Sequence, residues 1–365
     1  MPKISIITVC YNSAATIEKT INSVISQDYS NVEYIIIDGN SSDETQNIIR
    51  KYEDKIAYWV SEPDKGIYDA MNKGMQHATG DLIEFLNSDD WFEDGALKNV
   101  ADAWHREKAD VYFGDYYFVF VDGTREHKHV SMGDCEKLPY EMKLNHQAIF
   151  IKRDVILRYP FNLAYRIAAD YDQLQRLYYE KAAFAYIGGA PLVCFMKDGG
   201  ITDSQVNRTK TEDLRVIRKN ARMYNNSSPE ICAIRWHLLQ LIVISLWENR
   251  VCPSIKKCVN GKSFVLFGAG EVGRGVIKFL HTHGADVVAV LDNDKNKTGM
   301  LLCDSMVQHP LFYKRKADEV VLITNYRYQS EIRTQLLKCG MIEGQDFYSY
   351  EMWVKWLIRM IFWGS

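Results

Sequence analysis

Four short apolar segments, separated by amphipathic ones, shape the first ninety residues. The apolar segments predict β-strands and cover residues 4–9, 32–37, 56–60 and 82–86. The segments between them predict helices, because their apolar residues recur every three or four positions, as at Ile17, Ile21, Val24 and Ile25. Strands that alternate with helices in this way predict an α/β fold with a parallel sheet and right-handed crossovers.

Local motifs predict several finer features. The pattern Ser41-x-x-Glu44 predicts a capping box at the start of a helix. Further along, Asp122-Gly123 lies between two β-rich runs and predicts a hairpin with a type I′ turn. His127 and His129 alternate on the second strand of this hairpin, which is typical of exposed side chains.

Composition and charge narrow the class of protein. Hydrophobic residues make up 47% of the 365 residues and charged residues 25%, as in ordinary globular proteins. The net charge of −3 provides no basic field for a phosphate backbone, so nucleic-acid binding is excluded as the main function. The longest strongly apolar run, 238–247, is shorter than the roughly 18 residues of a spanning helix, and no CxxC pair is present. We therefore expect a cytoplasmic protein with reduced thiols.

Acidic residues follow three of the predicted strands. Asp38 ends the second strand, Asp64 follows the third, and Asp89 and Asp90 follow the fourth. Ligands of open parallel sheets bind beyond the carboxyl ends of the strands. These carboxylates therefore predict a site for Mg²⁺ or Mn²⁺ together with substrate phosphates, although each aspartate could instead cap the following helix.

The amino-terminal half resembles the family 2 glycosyltransferases of the GT-A fold. The resemblance is carried by residues 5–12, 36–45, 62–74 and 85–90, and more weakly by His146-Gln147, 169–172 and 199–202. It implies a mixed, mainly parallel sheet flanked by helices, and a nucleotide-sugar site. Residues implied to line that site are Thr8 and Tyr11 at the base, Asp38 on the imide of uracil or thymine, Asp64 and Asn72 near the diphosphate and sugar, and Asn87 and Ser88.

The same resemblance assigns catalytic roles. Asp89 is the implied metal ligand of an Asp-x-Asp motif whose first position is Asn87 here, so one charge is lost. Asp170 falls at the position of the general base, with Asp172 as its competitor two residues away. His146 and Gln147 are implied to lie on the acceptor side or near the pyrophosphate, whereas a lone histidine before an apolar run is also typical of a core residue.

These roles predict a reaction. A divalent cation stabilises the charge on a leaving diphosphate, and a carboxylate accepts the proton of an attacking hydroxyl. We expect an inverting glycosyltransferase that uses a UDP- or dTDP-linked sugar and a saccharide or lipid-linked saccharide acceptor, in the biosynthesis of surface polysaccharide or glycolipid. The alternatives are a nucleotide-sugar oxidoreductase or epimerase, and a degenerate nucleotide-binding scaffold.

The carboxyl-terminal region carries a glycine fingerprint. Gly268, Gly270 and Gly273 lie between a predicted strand and a helix, and Asp292 follows 19 residues after the last of them. This spacing predicts a Rossmann-like fold with a possible second nucleotide site. Three roles stay open for this domain: oxidoreduction, binding of a nucleotide or regulator, and assembly. Oxidoreduction is disfavoured, because no Tyr is followed four residues later by the Lys of the usual acid/base pair of short-chain sugar epimerases and reductases. No cofactor is firmly predicted for nucleotide or regulator binding.

We therefore expect four parts along the chain. They are a GT-A domain at 1–225, a helical linker at 226–260, a Rossmann-like domain at 261–349 and an amphipathic tail at 350–365. In the tail, Lys355 and Arg359 lie four apart among apolar residues and tryptophans. Such a helix either contacts the inner face of a membrane peripherally or packs on its own domain. The sequence predicts no oligomeric state.

Overall fold

The computed structural model describes residues 1–196, 206–232, 234–235, 238, 251–325 and 328–363. The chain divides into two compact units, Met1–Arg235 and Trp236–Ser365. Outside the described residues lie 199–202, which carry part of the weaker resemblance. The same holds for 233, 236–237 and 239–250 of the predicted helical linker.

The described part of the first unit contains two sheets. Their strands are β1 Ile4–Cys10, β2 Val32–Asp38, β3 Tyr58–Ser61, β4 Leu82–Phe85, β5 Trp91–Phe92, β6 Val111–Phe113, β7 Tyr116–Val119, β8 Arg125–Lys128, β9 Ile149–Lys152, β10 Phe184–Tyr186 and β11 Val193–Met196. The larger sheet has the order β10-β6-β9-β4-β1-β2-β3, and the smaller one the order β5-β11-β7-β8. In the larger sheet β9 runs antiparallel to β4 and β6, so the sheet is mixed and mainly parallel.

Helices cover the larger sheet and connect its strands. They are α1 Ile17–Ile25, α2 Thr45–Arg50, α3 Ile67–His77, α4 Ala96–Arg106, α5 Met132–Cys135, α6 Arg153–Ile156, α7 Ala169–Tyr179 and α8 Val206–Met223, with single 3-10 turns at Glu53–Lys55 and His146–Ala148. β1 is buried along its whole length, which explains its mostly apolar sequence; its two polar residues, Ser5 and Thr8, are buried as well. On α3, a Cβ at Gly74 would lie 2.5 Å from a methyl carbon of Ile7, so this helix packs closely on β1.

The register of the parallel strands determines where the acidic residues lie. Cys10 pairs with Asp38, and Asp38 pairs with Ser61, so the carboxyl ends of β1, β2 and β3 are level. β4 pairs with β1 on the other side, and its end leads directly into residues 87–90. The predicted edge of strand ends is therefore present in the structure.

Two local predictions are wrong. Helix α2 begins at Thr45 and Ser41 does not cap it, because the Ser41 oxygen accepts the Asn12 N–H at 2.8 Å and its hydroxyl donates to Asp38. The hairpin of β7 and β8 forms, but among its turn residues only Gly123 has a positive φ, of 82°, whereas a type I′ turn needs two such residues. The Asp122 carboxylate accepts the Thr124 N–H at 2.9 Å and stabilises this different turn.

The second unit has its own sheet and core. Its described strands are β12 Ser263–Phe267, β13 Asp286–Leu291, β14 Leu301–Leu302, β15 Ser305–Gln308, β16 Val320–Ile323 and β17 Phe347–Tyr348, in the order β14-β15-β13-β12-β16-β17. The helices are α9 Pro253–Val259, α10 Glu271–Thr282, α11 Gln329–Lys338 and α12 Tyr350–Trp363, with 3-10 turns at Lys295–Lys297 and Pro310–Phe312. β12 is parallel to both β13 and β16, and α10 follows β12, as in a Rossmann-like arrangement.

The carboxyl-terminal helix α12 packs into the core of the second unit. Trp353, Val354 and Leu357 are buried there, and the Trp353 indole N–H donates to the Ile323 carbonyl at 2.8 Å. This packing accounts for the buried apolar residues of the tail. No helix among the described residues is both long and apolar enough to span a bilayer.

Candidate active site

Asp38 lies at the centre of the strand edge but is fully buried. Its carboxylate accepts hydrogen bonds from the Ser41 N–H at 2.9 Å, from the Ser41 hydroxyl, and from the Ser61 hydroxyl at 2.5 Å. The Cys10 thiol adds a weaker contact at 3.5 Å, and burial followed by the charge of Asp38 raises the pKa of this thiol strongly. Asp38 therefore fixes the loop after β2, and the expected contact of its carboxylate with a base stays a prediction.

The side chains of Tyr11 and Asp64 lie beside this loop. A Cβ placed on Gly39 would come within 2.6 Å of Asp64 Oδ2 and 3.5 Å of the Tyr11 ring, so these two side chains meet over the Gly39 backbone. Asp64 Oδ1 accepts the Gly66 N–H at 2.7 Å, and Gly66 has a φ of 115°, which favours glycine. The Tyr11 side chain is exposed. The arrangement offers an aromatic face next to a carboxylate oxygen.

The loop after β4 carries Asn87, Ser88, Asp89 and Asp90. Gln147 fixes this loop through two hydrogen bonds: its Oε1 accepts the Asn87 N–H at 2.8 Å, and its amide N–H donates to Asp90. Asp90 is buried and also accepts the Met196 N–H at 2.8 Å. Burial and then the neighbouring charge of Asp89 raise the pKa of Asp90 well above its usual range. The loop is thus fixed by Gln147 in the 3-10 turn before β9 and by Met196 at the end of β11.

Two oxygens of this loop are suited to a divalent cation. The Asn87 Oδ1 atom is buried and has no hydrogen-bond partner among the described residues. Asp89 is exposed on the same loop. Desolvation by the surrounding protein raises the pKa of Asp89, and the charge of His146 lowers it in part. An orphaned amide oxygen beside a carboxylate fits the oxygen ligands that Mg²⁺ and Mn²⁺ prefer.

Asp170 lies at the start of α7 and faces the same loop through His146. Its Oδ1 accepts the Tyr68 hydroxyl at 2.9 Å, and its Oδ2 lies 3.3 Å from His146 Nδ1. Burial raises the pKa of Asp170, but hydrogen bonding and the charge of His146, with the bond from Tyr68, lower it below the usual value. Asp170 is therefore ionised at neutral pH. The other imidazole nitrogen, His146 Nε2, is buried and has no hydrogen-bond partner among the described residues.

Two residues that sequence reasoning missed position Asp170. Tyr68 also donates to the Ile167 carbonyl, at 2.6 Å. Glu212 on α8 accepts the three backbone N–H groups of residues 166, 167 and 168, at 2.8, 2.7 and 3.2 Å, and so holds the segment before α7. Tyr68 belongs to the matched segment 62–74, but Glu212 lies in a polar helix whose sequence carries no signal for this contact.

Three side chains that are expected to line the donor site form hydrogen bonds within the protein. The Thr8 side chain is fully buried and bonded to the Tyr34 hydroxyl at 3.1 Å, so it faces the core. The Asn72 amide is paired on both sides with the backbone of Phe161, at 2.9 Å each. Ser88 is nearly buried and bonded to the Ser13 hydroxyl at 2.8 Å.

Gln147 and Asp172 also form hydrogen bonds or ion pairs within the protein. Gln147 is fully buried and supports the loop after β4 instead of facing an acceptor. Asp172 is also fully buried, and its carboxylate is paired with Arg176 at 2.9 Å and with Lys219 and Asn220 at 3.3 Å each. Of the two candidates for the base, Asp170 is the one that contacts His146, which lies near Asp89. Asp172 is paired with basic side chains.

The glycine fingerprint of the second unit is tightly folded on itself. A Cβ on Gly273 would lie 2.3 Å from the Gly268 carbonyl oxygen, whereas Gly270 has open space around it. Asp292 is buried, accepts the Ala269 N–H at 2.8 Å and pairs with Lys297 at 3.1 Å. Its carboxylate thus stabilises the glycine loop, and the expected role on a ribose hydroxyl stays a prediction.

The first unit is an α/β fold with carboxylates at the ends of its parallel strands, and Asp170 contacts His146 beside that edge. Residues 5–172 match the family model described as Glycosyl transferase family 2, and residues 260–345 match C2185-like, N-terminal. A PGL/p-HBAD biosynthesis glycosyltransferase of Mycobacterium bovis (strain BCG / Pasteur 1173P2) is 30% identical over 213 residues, which are 57% of this chain and 82% of that protein. The chain belongs to glycosyltransferase family 2.

Other similarities are shorter or more distant. The uncharacterized glycosyltransferase MT1564 of Mycobacterium tuberculosis (strain CDC 1551 / Oshkosh) is 46% identical over 92 residues, so the match spans 25% of this chain and only 35% of that relative. A GalNAc(5)-diNAcBac-PP-undecaprenol beta-1,3-glucosyltransferase of Campylobacter jejuni is 34% identical over 116 residues, 31% of this chain and 38% of that protein. The structure of S. aureus TarS 1-349 in complex with UDP shares the fold, with a TM-score of 0.52, 17% identity, and coverage of 77% of this chain and 89% of that one.

Proposed function

We propose that this family 2 glycosyltransferase is an inverting enzyme that transfers a sugar from a UDP- or dTDP-linked donor to a hydroxyl of a saccharide or lipid-linked saccharide, in the biosynthesis of surface polysaccharide or glycolipid. The observation that carries the proposal is the Asp170 carboxylate, held by the Tyr68 hydroxyl at 2.9 Å and by His146 Nδ1 at 3.3 Å. A single carboxylate on the acceptor side suits one direct displacement, which inverts the anomeric centre.

The donor is bound at the Tyr11 side of the strand edge in this proposal. The exposed Tyr11 ring offers a stacking face for the base, and Asp64 Oδ2, which has no hydrogen bond to a described residue, accepts from a ribose or sugar hydroxyl. A uridine nucleotide is bound in TarS, which has the same fold. A lipid-linked acceptor is suggested by the name of the Campylobacter jejuni relative.

Asn87 and Asp89 would hold a divalent cation. The orphaned Asn87 Oδ1 and the Asp89 carboxylate are the ligands for which the donor set is suited. Such a cation neutralises charge that develops on a departing diphosphate. The site has one carboxylate fewer than an Asp-x-Asp pair, so its negative charge attracts a cation less strongly. We therefore propose that the enzyme needs free divalent cation in solution.

Asp170 performs the proton transfer in this account. It accepts the proton of the acceptor hydroxyl while that oxygen attacks the anomeric carbon and the bond to the diphosphate breaks. Tyr68 and His146 fix both carboxylate oxygens, so little reorganisation is needed at the moment of attack. The buried Nε2 of His146 has no partner among the described residues and can accept a hydrogen bond from a hydroxyl of the donor or acceptor.

A panel of nucleotide sugars tests the proposal. Nucleotide release is measured for UDP-, dTDP- and GDP-linked sugars with saccharide and polyprenyl-linked acceptors, in Mg²⁺ or Mn²⁺ and in excess chelator. We expect acceptor-dependent release from UDP- or dTDP-linked donors only with cation, and a product of inverted anomeric configuration by NMR. Preference for GDP-linked donors, or full activity in chelator, contradicts the donor or the cation part.

A further inference from the structure

A second cluster of metal-binding side chains lies at the base of the β7–β8 hairpin and shares no residue with the candidate active site. Asp115 follows β6, and its side chain is only 2% exposed. Its Oδ1 accepts the Val130 N–H at 3.0 Å and the Tyr186 hydroxyl at 2.9 Å. These two bonds fix the carboxylate and direct the second oxygen, Oδ2, towards β8.

Two imidazoles meet that second oxygen. His127 and His129 lie two apart on or next to β8, so the alternation of the strand places them on one face. His127 Nε2 and His129 Nδ1 each lie 2.8 Å from Asp115 Oδ2. The three atoms all lie within 4.8 Å of one another. Both imidazoles are partly exposed, so the cluster is accessible from solvent.

We propose that Asp115, His127 and His129 bind a transition-metal ion of the Zn²⁺, Co²⁺ or Ni²⁺ class. Neighbouring ligands about 2.1 Å from such an ion lie roughly 3 Å apart, close to the separations of Asp115 from both histidines. Imidazole favours these metals over Mg²⁺, which prefers oxygen ligands. The buried, doubly bonded carboxylate supplies the charge and the fixed position, and solvent supplies the remaining ligands.

The site is expected to cross-link the hairpin to the body of the first unit. Asp115 bonds Tyr186, which lies on β10 of the larger sheet, while His127 belongs to β8 of the smaller one. A metal ion would replace the two hydrogen bonds from the imidazoles with coordination bonds. The imidazole nitrogens must be unprotonated to coordinate a metal ion.

Metal titration of matched variants tests the site. All samples carry Cys232→Ser and Cys339→Ser, which removes the exposed thiols among the described residues. His127→Gln/His129→Gln is compared with the parent and with a control that also removes two exposed histidines, His105→Gln/His281→Gln. Ni²⁺ and Zn²⁺ binding is measured by calorimetry, and Co²⁺ binding by its visible absorption.

We expect the parent and the control to bind one ion per chain that the His127/His129 variant loses, or binds at least about tenfold more weakly. Ni²⁺ should also raise the melting temperature of the first two proteins only. Equal stoichiometry and affinity in all three proteins would overturn the proposal. Without metal, matching circular dichroism spectra show that the variant is folded, and transferase activity in Mg²⁺ is expected to be unchanged.

Discussion

Replacing Glu84 by glutamine should remove a pH-dependent loss of stability from the first unit. Glu84 lies on β4, is fully buried, and has no hydrogen-bond partner for either carboxyl oxygen among the described residues. Burial, and then the negative charge of Asp90, raise the pKa of Glu84 well above its usual value of 4.5. The side chain is therefore protonated in the folded protein over a range in which it ionises in the unfolded chain.

The size of the effect follows from this difference in proton binding. Above pH 4.5 the unfolded state releases the proton of Glu84 and the folded state keeps it, so rising pH favours unfolding. The loss is about 1.4 kcal/mol per pH unit and continues until the raised pKa of the folded state is reached. Below pH 4.5 the contribution of Glu84 is fully retained. Glutamine has the same shape and does not ionise, so its advantage should grow by about 1.4 kcal/mol per unit from there.

Urea unfolding at pH 5, 6 and 7 measures this advantage. The transition of the first unit is followed separately from that of the second, because the two units need not unfold together. Other titrating groups cancel in the difference between Glu84→Gln and wild type, and exposed Glu107→Gln is the matched control for exchanging a carboxyl for an amide. A Glu84→Gln advantage that stays constant between pH 5 and 6 would refute the reasoning, because Glu84 would then ionise in the folded protein.

Three further changes probe the active site. Gly39→Ala places a Cβ 2.6 Å from Asp64 Oδ2, so nucleotide affinity measured by calorimetry should fall about tenfold or more with little change in fold; unchanged affinity would remove Asp64 from the donor site. Asp89→Ala should abolish turnover at any Mn²⁺ concentration, and turnover that still rises with Mn²⁺ would place the cation elsewhere. His146→Asn removes a group that lowers the pKa of Asp170, so the acidic limb of the kcat/KM profile should move to higher pH; a limb at the same pH would show that His146 does not act through Asp170.

The sheet and its edge of polar residues could be predicted because their signals are local. β1 and β2 are buried apolar runs, and the residues that follow the strands stand next to them in the sequence. The face to which a polar side chain turns was not predictable in the same way. Thr8 turned into the core because Tyr34, 26 residues away, offers a hydroxyl, and Asp38 turned away from solvent because Ser41 and Ser61 surround it.

Contacts between distant parts of the chain were the other limit. Glu212 reaches the backbone of residues 166–168 across about 45 positions, and neither segment carries a motif that announces the pairing. The prediction that His127 and His129 are exposed is confirmed. Their contact with the buried Asp115 was not predictable, because Asp115 lies 12 and 14 residues earlier in the sequence. Likewise, the spacing of Asp292 fits a ribose contact, yet its carboxylate turns to the Ala269 N–H and Lys297.

The central claim is that Asp170 takes the acceptor proton, and the most direct test is Asp170→Asn. Asparagine keeps the size of the side chain and an oxygen for the Tyr68 hydroxyl, but it accepts no proton. The variant's turnover with a saturating donor and acceptor should fall by about 10²- to 10⁴-fold, while its Kd for the nucleotide stays within about twofold of wild type. Turnover near the wild-type rate in a folded Asp170→Asn protein would contradict the account.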